Sequence, residues 1–251
     1  MKVRLDKYLA NLGLASRKEI WKLVKKGLIY VNGELALKSD IKLSEGDKID
    51  FLWQEIPVIE NMVVILNKPA WYISSDIDEA GYKSYKNLLK DCFFANKLKV
   101  AWRLDVDTEG LLVLSSDWKL IHNLISPKQE KKKIYYVEIE KELSSEDIDK
   151  LKNGIDIGDY VTLPADVLLL PKKEEEIINF WDFKKSTLSQ IPEKTLKWNQ
   201  AFLLSIVEWK FHQIKRMLEA LNNKVVYLKR LKLADYELED LEPWKWKKVS
   251  S

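Results

Sequence analysis

Three stretches of the chain hold residues able to do chemistry. The first, Arg103-Leu104-Asp105-Val106-Asp107-Thr108-Glu109-Gly110, sets an arginine, carboxylates and a hydroxyl side by side between two apolar runs. Loops held between strands are where functional groups concentrate. The second, Lys133-Ile134-Tyr135-Tyr136-Val137, puts a tyrosine beside a basic run at the start of a strand. The third runs from Glu208 to Leu218, beginning at a strand end and continuing as an amphipathic helix. Ile214, Met217, Leu218 and Leu221 form its apolar stripe, and Lys215 and Arg216 lie near its start. Taken singly, each has a plain structural explanation. Arg and Asp close in sequence are commonly a surface ion pair, and strand tyrosines are commonly half-buried. His122 and His212 are more often surface or hydrogen-bonded core residues than proton carriers. The three stretches gain meaning together.

The elements that must position them begin at a strand over 62–66. Further β-type runs follow at 99–101, 111–114, 134–139, 161–170 and 202–207, with helical patterns around 84–94, 117–125, 145–153 and 211–221. Strict βαβ alternation is missing, so the pattern predicts an α+β fold with a mixed, mainly antiparallel sheet. The charged and irregular stretch 171–200 reads as a mostly surface insertion. Ahead of this body, Ser16 and Glu19 form a capping box that opens a helix with Ile20, Leu23 and Val24 on one face. Gly27 stops that helix. A strand over 28–31 leads into Asn32-Gly33, a strong hairpin signal, and a second strand is expected over 48–52. Residues 54–61 read as a polar linker. The chain therefore divides into residues 1–55 and 60–251.

Composition excludes several classes. Of 251 residues, 46% are hydrophobic, enough for a real core. No apolar run approaches the roughly 20 residues of a membrane helix, and the charged start MKVRLDKYLANLG is not an export signal. A cytoplasmic protein without membrane contact is expected. The single cysteine, Cys92, suits core packing, and no Cys/His cluster suggests a metal. No Gly-rich cofactor loop is visible, which argues against a methyltransferase. Net charge is only +3, yet Lys2, Arg4, Lys7, Arg17, Lys18, Lys22, Lys25 and Lys26 crowd into residues 1–27 against Asp6 and Glu19. Such a face suits phosphate; the plainer alternative is a solvated helix.

RLDKYLANLGLASRKE, the helix after it and GLIYVNGE resemble the alpha-L RNA-binding module named for a small-subunit ribosomal protein. The resemblance implies RNA contact through Arg4, Lys7, Ser16, Arg17, Lys18, Lys22 and Lys25. NKPAWYISS at 67–75, RLDVDTEGLLVLSSD at 103–117, KIYYV at 133–137, VTLPA at 161–165 and EWKFHQIKRML at 208–218 together resemble the ribosomal small-subunit branch of pseudouridine synthases. That resemblance implies a cofactor-free isomerase acting on uridine in ribosomal RNA, most closely small-subunit RNA, as a monomer. It implies that Asp105 attacks the nucleoside, at the base or at the sugar. Tyr135 stacks on the uracil, Lys215 pairs with the aspartate and Ile214 packs nearby. Arg103 is expected to fill the gap left by the flipped base or to bind a phosphate, and His212, Gln213 and Arg216 are expected to face RNA, with Asp107 and Glu109 left to structural roles. A base buried in RNA must be flipped out to reach such a carboxylate.

The chain departs from that pattern by placing Trp where the family has Gly, at positions 71, 102, 118, 209 and 244. It holds 10 Trp and only 8 Gly, whereas glycine averages about 7% of residues. Two readings account for this. Either the gene uses UGA for glycine and has been translated with UGA as tryptophan, or a lineage of genuine substitutions has produced an RNA-binding factor on the same fold. The first is favoured, because independent drift would not choose Trp for Gly repeatedly.

Overall fold

The structure, a computed structural model, describes residues 2–59, 61–191 and 200–249. Its N-terminal unit contains β1 (Val3–Arg4), α1 (Leu5–Asn11), α2 (Arg17–Lys25), β2 (Ile29–Val31), β3 (Glu34–Leu35), β4 (Lys42–Leu43), β5 (Lys48–Phe51) and β6 (Gln54–Pro57). The capping box forms as expected: the Ser16 hydroxyl accepts from the Glu19 amide, and the Glu19 carboxylate accepts from the Ser16 amide. Asn32 and Gly33 both take positive φ, 52° and 82°, and turn β2 into β3. The expected linker begins instead as a strand. Residues 54–57 pair antiparallel with β5 and complete a sheet of order β3-β2-β5-β6. Its polar residues misled because an edge strand shows one face to water, and Pro57 costs nothing at a strand end.

The larger unit is built on β7 (Val63–Lys68), β8 (Tyr72–Ile73), β9 (Lys83–Ser84), β10 (Lys99–Ala101), β11 (Glu109–Ser115), α3 (Trp118–Ile125), β12 (Lys133–Ile139), α4 (Ser145–Asn153), β13 (Asp166–Leu169), α5 (Glu174–Trp181), β14 (Gln200–Ile206), α6 (Gln213–Ala220), β15 (Val225–Leu233), β16 (Tyr236–Glu237) and β17 (Trp246–Val249). Seven strands run in the order β13-β14-β12-β15-β11-β7-β17, with β10 beside β11 and β16 beside β15. Only β11 and β15 pair parallel in this sheet; its other pairs are antiparallel, giving the mixed sheet expected. Period-two alternation sorts each strand between two cores. Leu66, Leu112, Tyr135 and Leu204 lie with Ile214, Met217 and Leu218 of α6 on one face, while Ile65, Val113, Tyr136 and Leu203 lie with α3 and α5 on the other. Tyr135 and Tyr136, equivalent as sequence, are thus sent to opposite sides.

Three expectations are corrected. Residues 84–94 form no α-helix but a 3₁₀ turn over Tyr85–Leu88 and loops, because the Ser84 hydroxyl accepts from the Lys86 amide and tightens the first turn. Within 161–170 only Asp166–Leu169 is a strand. The insertion at 171–200 is ordered where described. It carries α5 and a 3₁₀ helix over Lys185–Gln190, buries Ile177, Trp181 and Phe183, and is tied down by Thr187 donating to Glu237 at 2.6 Å. Residues 192–199 of that stretch lie outside the described residues.

Candidate active site

The loop between β10 and β11 carries Arg103, Asp105 and Asp107, and main-chain contacts hold it. The Ser74 hydroxyl donates to the Leu104 carbonyl at 2.9 Å and accepts from the Leu104 amide at 3.0 Å. The Trp71 amide donates to the Val106 carbonyl at 2.7 Å. Lys68, wholly buried at the end of β7, donates to the carbonyls of Pro69, Tyr72 and Val106 at 3.0, 2.7 and 3.3 Å. Burial pushes the Lys68 ammonium down to about 8, against the pull of Glu109, Asp107 and Asp105. A chain pinned at several carbonyls keeps a carboxylate where it is needed.

Opposite this loop, the turn before α6 is braced by Gln213. Its amide donates to Glu208 at 2.9 Å and accepts from the Lys210 amide at 3.0 Å. Glu208 is bonded in turn to the Tyr160 hydroxyl and, at 2.7 Å, to the Leu163 amide. His212, at φ 50°, caps the helix and turns its first residues toward the loop. Lys215 then lies 3.6 Å from one oxygen of Asp105 and grips Asp107 with both contacts under 3 Å, at 2.6 and 2.8 Å. His212 Nε2 stands 3.8 Å from the other Asp105 oxygen. Tyr135 forms the buried floor, its phenol pushed up chiefly by burial. Asp105 keeps 24% of its side chain exposed, so its carboxyl group faces a pocket that Arg103, Thr108, Tyr135, Trp209 and Ile214 help to line.

The structure brings together Asp105, Tyr135, Lys215, Ile214, Arg103 and His212. It does not leave the others free. Gln213 lines the same pocket but is buried with both amide groups engaged, and Arg216, part-exposed, donates to the Ile157 carbonyl at 2.7 Å and pairs with Asp159, so both also brace the protein. Two features were missed. Asp107, read as a loop residue, is the closer partner of Lys215. His212, read only as RNA-facing, adjoins Asp105. The i, i+2 spacing of the two aspartates on one loop was the available signal. In the N-terminal unit, Lys7, Lys18, Lys22 and Lys25 are exposed, but the Ser16 hydroxyl is spent on its cap. Arg4 and Arg17 share the buried Asp6 at 2.9 and 3.0 Å, and hold its carboxyl below its ordinary value against burial, the largest influence. Among the described residues no group of three His, Cys, Asp or Glu is placed to hold a metal ion.

Trp71, Trp102 and Trp244 take φ of 68°, 61° and 71°, as does Trp53 at 70°. This left-handed region suits glycine. Trp118 and Trp209 do not adopt it.

Residues 62–220 match the family model described as RNA pseudouridylate synthase, and residues 3–49 match the S4 domain. The chain belongs to the RNA pseudouridylate synthase family. Membership makes it an isomerase with an N-terminal S4 domain. It is 33% identical to the ribosomal small subunit pseudouridine synthase A of Vibrio parahaemolyticus, over 96% of this chain and 93% of that protein. It is 30% identical to the ribosomal large subunit pseudouridine synthase B of Bacillus subtilis, over 95% of this chain and 88% of that one. A solved pseudouridylate synthase superposes with TM-score 0.61 at 29% identity, covering 99% of this chain and 96% of that one.

Proposed function

We propose that this synthase converts a uridine of small-subunit ribosomal RNA into pseudouridine, in the cytoplasm and as a monomer, with Asp105 as the nucleophile. The observation that carries this is the placement of the Asp105 carboxylate, part-exposed, over the Tyr135 floor and 3.6 Å from Lys215. In the reaction the ionised carboxylate adds to the flipped nucleoside, at the base or at the anomeric carbon. The bond from the sugar to N1 breaks and the base turns. C5 bonds to the sugar in its place, the Asp105 adduct is released, the C5 proton is lost to solvent and N1 takes up one proton in exchange. Atoms balance without a cofactor. Lys215 stands beside Asp105 as its counter-charge and, through Asp107, fixes the distance between helix and loop. Tyr135 meets the uracil ring, Ile214 packs beside it, and Arg103, exposed at the rim, is available to a phosphate. Lys7, Lys18, Lys22 and Lys25 of the S4 domain supply the sequence-independent grip on the RNA backbone.

Tritium release from C5-labelled small-subunit RNA tests the reading, with Asp105→Asn as control. Release by the wild type that vanishes in the variant while RNA binding persists is the expected result; equal release by both sinks it. Labelled large-subunit RNA, run alongside, tests the substrate. Trp102 and Trp209, whose rings stand 6.2 Å apart beside the pocket, favour a second reading: an RNA-binding assembly factor without turnover. Wild-type binding with no release would select it.

A further inference from the structure

Arg230 is the largest of the wholly buried side chains. It sits near the middle of β15, between the strand that carries Tyr135 and the strand that closes the Asp105 loop. Across β12 its register partner is Tyr135, at a shift in the pairing; across β11 it is Gly110. Burying a guanidinium is costly unless it is paired, and among the described residues no carboxylate forms an ion pair with it. It makes two bonds to main-chain carbonyls instead. Nε donates to Leu111 and Nη2 to Trp102, each at 2.8 Å. Those carbonyls bracket the loop that carries Arg103, Asp105 and Asp107. Nη1 is buried without a hydrogen-bond partner. Such an orphan calls for an explanation, and a hydrophobic residue would fill the space at lower cost.

We propose that Arg230 is a positioning residue for the isomerisation: it pins both ends of the Asp105 loop to the strand beside Tyr135, and so sets the distance between the attacking carboxylate and the ring under the uracil. The main chain reinforces the clamp. A Cβ on Gly110, which has φ 99°, would come within 2.3 Å of the Arg230 carbonyl oxygen, so β11 and β15 approach more closely than other residues permit. Arg230 and Tyr135 face each other as register partners across the sheet, and the Tyr135 phenol, raised chiefly by burial, feels Arg230 and Asp105 in opposite senses. The three groups therefore form one cluster, with Arg230 behind the two that face the pocket. Displacement of a reacting group by about 1 Å can cost about 100-fold in rate, so the clamp acts on turnover rather than on RNA affinity.

The inference rests on the Asp105 reading, and the experiment separates the two. Single-turnover tritium release and RNA affinity are measured for the wild type, Asp105→Asn, Arg230→Lys and Arg230→Met, at a temperature where circular dichroism shows each folded. Arg230→Lys keeps a buried cation but can hold fewer carbonyls. We expect its rate to fall about tenfold and that of Arg230→Met about 100-fold, with RNA affinity within about twofold of the wild type. If Arg230→Met does not fold, Arg230→Lys decides. A wild type without release, or Asp105→Asn with it, overturns the function reading. An inactive Asp105→Asn beside Arg230→Lys at the wild-type rate, or a loss lying in affinity instead of rate, overturns the role given to Arg230 alone.

Discussion

Replacing Trp53 by glycine should stabilise the protein, an unusual direction for deleting a large aromatic residue. Leu52 and Trp53 form the two-residue turn between β5 and β6, at φ 49° and 70°, the backbone of a hairpin turn that demands positive φ. The Trp53 ring is 91% exposed, and among the described residues it has no ring or hydrogen-bond partner, so its loss removes little burial. The left-handed conformation costs a residue with a Cβ about 1–2 kcal/mol, while glycine's extra freedom in the unfolded chain returns about 0.4–1 kcal/mol of that. A net gain near 1 kcal/mol follows, or about 2–4 °C in melting temperature for a chain of this size. Trp53→Ala separates backbone from ring, because it discards the indole and keeps the Cβ; it should change little. Trp118→Gly should move the other way by about 0.5 kcal/mol, since Trp118 begins α3 with ordinary helical φ and glycine is a poor helix former. Thermal unfolding of the three variants checks this. Trp53→Gly no more stable than Trp53→Ala would refute the argument that the turn was shaped for glycine.

Further outcomes follow from the same structure. The codons at 53, 71, 102 and 244, where tryptophan sits at positive φ, are expected to be UGA in the gene; ordinary UGG there would leave genuine substitution as the explanation. Stability should rise between about pH 8 and 10. Folded Lys68 and Lys133, both pushed down to about 8 by burial, release their protons in that range while the unfolded chain keeps them. Above pH 10 the trend should reverse. Tyr85, Tyr136 and Tyr227, raised mainly by burial and then by Asp76, Glu138 and Glu109, hold protons that the unfolded chain has lost. Urea midpoints at pH 7.5 and 9.5 read the first limb; a flat or falling midpoint removes the buried-lysine argument, and Lys68→Met should shrink the rise. Replacing exposed Lys22 and Lys25 with Gln should weaken RNA binding and reduce the slope of affinity against salt by about 2. An unchanged slope would mean that this helix face does not meet phosphate.

Much of the molecule was legible in one dimension because local rules operate there. The capping box at Ser16, the Asn32-Gly33 turn, the strands at 63–68 and 133–139 and the stripe of α6 all follow from short-range patterning. The grouping of Asp105, Tyr135 and Lys215 came instead from the family resemblance, carried by the order of several motifs along the chain. What failed was whatever depended on a partner outside the segment itself. Residues 54–57 are a strand only because β5 is beside them. Val225–Leu233, three lysine or arginine residues among nine, looks like surface yet forms a central strand, because carbonyls at the two ends of the Asp105 loop take two bonds from Arg230, and Gln190 takes one from Lys229.

The sequence alone determined which residue types could attack, stack and neutralise, since those are properties of the side chains and of motif order. Tertiary structure decided which of them meet. It gave Lys215 to Asp107 more closely than to Asp105, put His212 beside the carboxylate, and engaged Gln213 and Arg216 within the protein. The physical reason is that a hydrogen bond or ion pair depends on the distance between atoms that can lie far apart in the chain, 108 residues for Lys215 and Asp107, and only the packed sheet and helices set that distance.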